Sequence, residues 1–400
     1  MLKQLKSVRS LVMLVTAFFI LFLLPSGFVR AASSSDAGLP RGWVASHPIV
    51  FRHLPSAGAL SPNASLAAPY TPAEIKTAYG FGALTQTGAG QTIAIVDAYG
   101  SPTIKADVTT FDQKYGLPGA TITTATPQGK PSTNGGWALE TSLDVEWAHA
   151  LAPAAKVLLV EAKSASIANL LAGIDYATAH GATVVSNSWG GAEFANESTD
   201  DSHFNQSGIV YVASAGDDGE ASSWPAASPY VLSVGGTSLS LNSDGTYNSE
   251  SAWSNSGGAT SDYEAIPSYQ SLWSAVVGGA RGIPDVAFDA DPNTGVPVYT
   301  STPDEGESGW FEVGGTSFSA PAWAALVALA DQARGSAFSS SQLLTALYQT
   351  AGTTGSSGYK DDFHDITSGS NGLSAQPGYD LVTGIGSPAA NRLVAVLGSK

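Results

Sequence analysis

Gly314-Gly315-Thr316-Ser317-Phe318-Ser319-Ala320-Pro321 is the stretch on which the reading of this chain turns. A glycine pair lets the backbone approach closely. A hydroxyl residue follows, then a proline suited to the first turn of a helix. Behind it, Ala322 to Ala333 is rich in alanine and helix-prone. A serine on a tight turn at a helix N-terminus can serve as an activated nucleophile, because the unpaired N–H groups and the helix dipole favour developing negative charge. A serine there can equally be a plain N-cap. The rest of the chain has to decide between the two.

Upstream, the pattern alternates. Gln91 to Asp97 (QTIAIVD) is an apolar run of strand length, and Ile104 to Tyr115 is helix-like. A helix over Trp137–Ala150, a strand over Val157–Glu161, a helix over Ala165–His180 and a strand over Thr183–Ser186 follow. A short helix at Asp200–Ser207 and strands at Ile209–Ala213 and Val231–Val234 continue the series. This alternation predicts an α/β fold, a predominantly parallel sheet with helices on both faces. Residues 240–310 read as long surface loops and hairpins, and the tail beyond the nucleophile helix reads as loop-rich.

The helix over Trp137–Ala150 carries Glu140 and Asp144, four apart and so on one face. Two exposed acids are one reading. The surrounding Trp137, Leu139, Leu143 and Trp147 favour a buried setting, in which one carboxyl is pushed up and a proton is shared. Such a pair can take a proton from a hydroxyl. Asp217, in Ser214-Ala215-Gly216-Asp217-Asp218-Gly219, falls just past a strand's C-terminal end, where open α/β sheets place their ligand sites. It also suits a turn. Asn187-Ser188-Trp189-Gly190-Gly191 stands at the end of another strand, where its glycines would let a peptide backbone approach or simply make a turn. Trp189, Asp218 and residues 220–226 are candidates for a side-chain pocket.

Composition sets limits on function. Of 400 residues, 43% are hydrophobic and 12% charged, so a disordered, solvated chain is excluded. A formal net charge of −16 argues against nucleic acid as a partner. The count of Cys 0 removes disulfide and thiolate chemistry. Lys3, Lys6 and Arg9 precede the apolar run Leu11–Leu24, and Val29-Arg30-Ala31 follows. Residues 1–31 therefore read as a secretory signal peptide, which leaves no membrane attachment once removed. An uncleaved anchor is the other reading. Residues 32–70, rich in Ala, Ser, Pro and Gly, read as a short propeptide or linker. Order is expected from the helix start at Tyr70-Thr71-Pro72-Ala73-Glu74, and residues 71–400 form one catalytic domain.

Together these segments resemble the sedolisins, the serine-carboxyl peptidases. The resemblance runs from about Thr71 to Pro388. It rests on Glu140-x-x-x-Asp144, Ser214-Ala215-Gly216-Asp217 and Gly315-Thr316-Ser317 in that order, joined by Ser188–Gly191 and by Arg281-Gly282-Ile283-Pro284-Asp285-Val286. It implies a subtilisin-like sheet of about seven strands flanked by helices. It implies Ser317 as nucleophile, Glu140 as general base and then acid, Asp144 as its orienting partner, and Asp217 as a protonated oxyanion-hole donor beside the Ser317 N–H. Ser188, Trp189, Gly190 and Gly191 would bind the substrate, a protein or peptide. A carboxyl donates a proton only in acid or when its pKa is raised, so the implied activity is acid-optimal.

The same resemblance implies one structural Ca2+, held by the Asp365 and Asp380 side chains and the carbonyls of Ile366, Gln376 and Gly378. Calcium suits carboxylates and carbonyls in such a loop, although a polar loop needs no metal. Many sedolisins have glycine where Gln376 stands, and many carry a long folded propeptide for which residues 32–70 are too few. Three alternatives remain open. A Ser–His–Asp triad would use Asp97 and His149, but His149 lies near its helix end between alanines. A silent, peptide- or surface-binding homologue would not need the whole acidic set. A glycosidase would use a carboxyl pair but not the Ser317 turn. The chain is read as a secreted, extracellular monomer.

Overall fold

The computed structural model describes residues 29–30, 43–47, 49–54 and 69–400. The basic and apolar part of the signal reading lies outside these residues. The central sheet contains β1 (Thr92–Ala98), β2 (Thr121–Ala125), β3 (Lys156–Ala162), β4 (Val184–Asn187), β5 (Val210–Ser214), β6 (Val231–Leu241), β7 (Tyr247–Ala252) and β8 (Val286–Asp289). Its order is β7-β6-β5-β4-β1-β3-β2, with β8 also paired to β6. Seven strands run parallel, and only β7 is antiparallel. This is the subtilisin-like sheet of about seven strands.

The strands are apolar throughout because both faces are covered. Along β1, Ile93 and Ile95 join one core with helices α2 (Gly135–Leu151) and α4 (Thr316–Arg334). Ala94 and Val96 join the opposite core, with α3 (Ile167–Ala179). The side-chain period of two thus feeds two helical layers from one strand. α1 (Ile104–Tyr115) packs on α2. Every residue of α2 from Gly136 to Leu151 is buried, as is every residue of α4 from Thr316 to Asp331. Helices enclosed on all sides tolerate an apolar surface all round. Charged residues on them must therefore serve a purpose beyond solubility.

Several local expectations hold. Thr71 caps the helix Pro72–Ala78 in a capping box with Glu74. Three differ. Asp200–Ser207 forms only short 3₁₀ turns. Residues 240–310 are largely strand: they hold β7, β8, the antiparallel pair Ala259–Ala265 with Ala280–Ile283, and the hairpin β9 (Val296–Asp304) with β10 (Glu307–Gly314). Arg281 makes a buried ion pair with Asp285, which also accepts from Ser233 N and Tyr348 Oη. That explains the Arg281–Val286 segment as an internal tie. The tail is also more ordered than expected, with helices Ser340–Ala351 and Ala390–Leu397.

The segment read as propeptide or linker is partly built into the fold. Val50–His53 forms a strand against β10. Phe51 is buried on Phe311, and Arg52 pairs with buried Glu312. Phe51→Ala should cost about 3 kcal/mol or more of unfolding free energy, measured by denaturant titration. A change below about 0.5 kcal/mol would mean the strand is only loosely attached.

Among the described residues, several other carboxyls are buried without an ion-pair partner. Burial pushes Asp97 and Asp331 each up to about 7 and raises Glu146 and Asp289 well above the usual range. In the folded state these groups keep protons that the unfolded chain has lost above about pH 4. Their contribution is full below that pH and is lost as pH rises through the folded values. The thermal midpoint should be highest near pH 4 and fall between about pH 5 and 8. A midpoint that rises across that range in calorimetry would contradict this.

Candidate active site

Two glycines set the entry to α4. Gly315 has φ +118°, which side-chain-bearing residues rarely adopt, and a Cβ on Gly314 would come 2.5 Å from Pro292. They deliver Ser317 to the second position of α4, where backbone N–H groups lack intrahelical partners. The helix begins at Thr316, so Pro321 falls in its second turn and not in the first, as the sequence reading had it. Proline cannot donate to the carbonyl four residues back, that of Ser317. The Ser188 hydroxyl stands 3.2 Å from that carbonyl.

Glu140 and Asp144 lie one turn apart on α2, both fully buried. The helix is started by Asn134, whose side chain accepts from Trp137 N at 3.1 Å. Glu140 is raised well above its ordinary value, first by burial, then by the charges of Asp144 and Asp97. The Ser317 hydroxyl opposes this by favouring the ionised form. The Ser317 hydroxyl therefore faces the Glu140 carboxyl. Asp144 is raised by burial and by Asp97, and lowered by the Ser188 hydroxyl at 2.8 Å. One Ser188 proton thus stands between Asp144 and the Ser317 carbonyl. If Asp144 holds a proton of its own, Ser188 is released to the carbonyl.

Asp217 follows β5 and is buried. Its Oδ1 accepts from Thr316 N at 2.9 Å and Thr316 Oγ1 at 2.7 Å, which fixes it at the N-terminus of α4. Its charge also acts on Glu140. Ser188 follows β4. The four expected catalytic residues therefore converge where α2 and α4 meet the C-terminal ends of parallel strands. Asp97, at the end of β1, is an additional member. The sequence offered it only as part of a histidine triad, yet it acts on both Glu140 and Asp144. Its signal was an aspartate ending an otherwise apolar strand. His149 is not part of the site: its Nε2 lies 2.7 Å from Pro118 O and 3.3 Å from Asp112.

The Ser188–Gly191 segment divides. Ser188 belongs to the acidic cluster. The Trp189 side chain is buried, its indole N–H given to Val96 O at 2.8 Å, so only its backbone is available to a peptide. Gly190 exchanges backbone hydrogen bonds with Ser46. Gly191 pairs with Trp224 and lies against Trp43. His47, which sequence reasoning missed, brings Nδ1 to 3.6 Å from Glu140 and packs edge-on against Trp137; burial lowers its pKa to about 4.

Far along the chain, Asp365 accepts from Gly378 N, and Asp380 accepts from Gln376 N, Val382 N and Thr383 N. Both carboxylates are thereby drawn onto the loop 376–380, with Ile366 buried beside Asp365. Among the described residues, no three His, Cys, Asp or Glu side chains form a metal-binding group. Two carboxylates supplemented by carbonyls would not make such a group. No helix among the described residues is long and apolar enough to cross a membrane.

The comparisons agree with this geometry. The subtilase family model matches residues 101–380. Kumamolisin from Bacillus sp. (strain MN-32) is 33% identical over 389 residues, covering 85% of this chain and 66% of kumamolisin. Sedolisin from Pseudomonas sp. (strain 101) is 33% identical over 194 residues, 44% of this chain and 30% of that protein. The chain thus spans just under two thirds of kumamolisin's length and less of sedolisin's. The solved structure of Pseudomonas sedolisin complexed with pseudo-iodotyrostatin superposes with TM-score 0.71 at 27% identity, over 84% of this chain and all of that one. Fervidolysin from Fervidobacterium pennivorans, at 19% identity and TM-score 0.51 over 81% of this chain and 45% of that one, shares the fold. The family match over residues 101–380, with the likeness to kumamolisin and sedolisin, places the chain in the subtilase family, with the sedolisins.

Proposed function

We propose that this chain is a secreted, acid-acting serine-carboxyl endopeptidase that cleaves protein or peptide substrates. The observation that carries the reading is the Ser317 hydroxyl facing Glu140 within a buried carboxyl cluster, with Asp217 fixed beside the same helix start. Ser317 Oγ adds to the scissile carbonyl while Glu140 takes its proton. Asp144 carries the proton the pair shares, so that charge can reside on Glu140, where the Ser317 O–H stabilises it. Protonated Asp217 and the Ser317 backbone N–H donate to the oxyanion. The C–N bond then breaks, Glu140 returns its proton to the leaving amine, and water repeats the sequence on the acyl-enzyme.

A triad histidine near its ordinary pKa of about 6.5 would be protonated in acid, whereas a carboxyl pair that shares one proton keeps its other member ionised, here Glu140 beside the Ser317 O–H. Asp217 is useful only while protonated. Activity should therefore be highest in acid and fall towards neutrality. On a denatured protein substrate at about pH 4, Ser317→Ala and Glu140→Gln should each lose about 10³-fold or more in kcat/KM. Cleavage undiminished in Ser317→Ala would reject the nucleophile. Asparagine donates at any pH, so Asp217→Asn should shift the alkaline limb of the pH–rate profile upward. An unmoved limb would remove Asp217 from the oxyanion hole.

Secretion rests on the basic start and apolar run of residues 3–24, and the absence of cysteine leaves stability to packing and to a metal. Asp365, Asp380 and the carbonyls of Ile366, Gln376 and Gly378 suit a calcium ion: two carboxylates converge on one glycine-containing loop, which also supplies carbonyl oxygens. Bound there, the ion would neutralise the two carboxylates and brace the loop. Excess chelator should lower the thermal midpoint by several degrees, about 1–2 kcal/mol of stability. An unchanged midpoint would remove the metal.

A further inference from the structure

Asp217 is held by α4 at one of its two oxygens. Oδ1 accepts from Thr316 N and Oγ1, at 2.9 and 2.7 Å, so a proton given to an oxyanion has to ride on Oδ2. A carboxyl fixed at one oxygen still pivots about it. The direction of Oδ2 is therefore set by the backbone that carries Asp217, residues 216–221.

That backbone is tied to two segments distant in sequence. Gly216 O accepts from Gly257 N at 2.6 Å, Gly219 N donates to Asn255 O at 3.0 Å, and Ala221 O accepts from Gly258 N at 3.0 Å. From the tail, Asn371 O accepts from Glu220 N at 2.9 Å. The approach is close: a Cβ on Gly257 would come 2.0 Å from Ala215 O, and one on Gly258 would come 2.1 Å from Leu381 O. Residues 255–258 thus form a thin layer between the Asp217 loop and the tail.

Two side chains hold that layer. Ser256 is fully buried. Its Oγ accepts from Gly236 N, on β6, at 2.8 Å, and its proton faces Val382 O at 3.1 Å and Gly257 O at 3.2 Å. Asn371 is buried too; its Nδ2 donates to Ser256 O at 2.8 Å, while its Oδ1 accepts from Leu373 N at 3.0 Å. An amide with one end on a carbonyl and the other on an N–H cannot turn over without opposing like groups. Asn371 therefore grips both sides: its main chain takes Glu220, and its side chain takes the layer beneath. All these bonds end on main chain, as a support for backbone position requires.

Resting on the peptidase reading, we propose that Ser256 and Asn371 are positioning residues for Asp217. They keep residues 255–258 seated against residues 216–221, and so keep Oδ2 aimed at the place where the scissile carbonyl oxygen becomes negative. An oxyanion donor acts only from the correct position, and the charge it meets exists only in the transition state. Loosening the support should lower kcat and leave substrate binding almost unchanged.

The test compares Ser256→Ala and Asn371→Ala with the unsubstituted full chain, each also placed in an Asp217→Ala background. Thermal melting verifies folding, and Asn371→Ala carries the test where Ser256→Ala does not fold. Two probes are built on the residues that precede the bond cut fastest in denatured casein. The Ser317 O–H adds across the C=O of the peptide aldehyde, which places an oxygen in the oxyanion hole; the matching peptide alcohol forms no such bond. Each substitution should lower kcat and weaken the aldehyde by about tenfold, with KM and inhibition by the alcohol changed less than about twofold. In the Asp217→Ala background neither should cost anything further, because the group they position is gone. Equal weakening of aldehyde and alcohol, or the same loss with and without Asp217, would overturn the proposal; cleavage still abolished by Ser317→Ala would then leave the peptidase reading standing. An aldehyde no better than the alcohol on the unsubstituted chain, with cleavage surviving Ser317→Ala, would remove the reading and the proposal together.

Discussion

The site depends on keeping carboxyl groups out of water. α2 is enclosed on every side, so Glu140 and Asp144 cannot be solvated, and the one histidine beside Glu140, His47, is itself held towards its neutral form by burial. An isolated buried carboxylate is costly, and the usual outcome is that the group holds its proton instead. Two neighbouring carboxyls and Asp97 nearby make full ionisation harder still. The protein therefore keeps a store of protons beside a serine. Burial also raises Glu146 and Asp289, away from the acidic pair. Stability in acid and the proposed chemistry in acid thus share one physical cause.

Much of this was legible in the sequence, for identifiable reasons. β1 and β3 are apolar because both faces are covered, so a continuous run such as QTIAIVD marks a strand unambiguously once the helices between runs are seen. The nucleophile turn was legible because only glycine satisfies both φ +118° at Gly315 and the contact with Pro292 at Gly314. The acidic pair was legible because four-residue spacing on an apolar helix has few other uses. The family resemblance, more than any one of these, assigned the roles.

What was missed has equally physical origins. β8 is four residues long, too short for any period to show, and its place is set by pairing with β6 and by the Arg281–Asp285 tie. The tail helix at Ser340 was marked by a capping box, Ser339 with Gln342, which was overlooked among serines that read as loop. Asp97 gave no local sign of its partners, because its nearness to Glu140 exists only after β1 and α2 have packed. Composition concealed the Val50–His53 strand: its flanks are rich in Ala, Ser, Pro and Gly, while its attachment comes from Glu312 and Phe311, some 260 residues away.

Ser188 joins the end of β4 to the acidic cluster: its hydroxyl lies between Asp144 and the Ser317 carbonyl. That carbonyl lacks a helical partner only because Pro321 has no N–H to give. A proline one turn into α4 thus gives Ser188 a second acceptor. Its one proton can serve either Asp144 or that carbonyl, so the protonation of Asp144 bears on which of the two receives it.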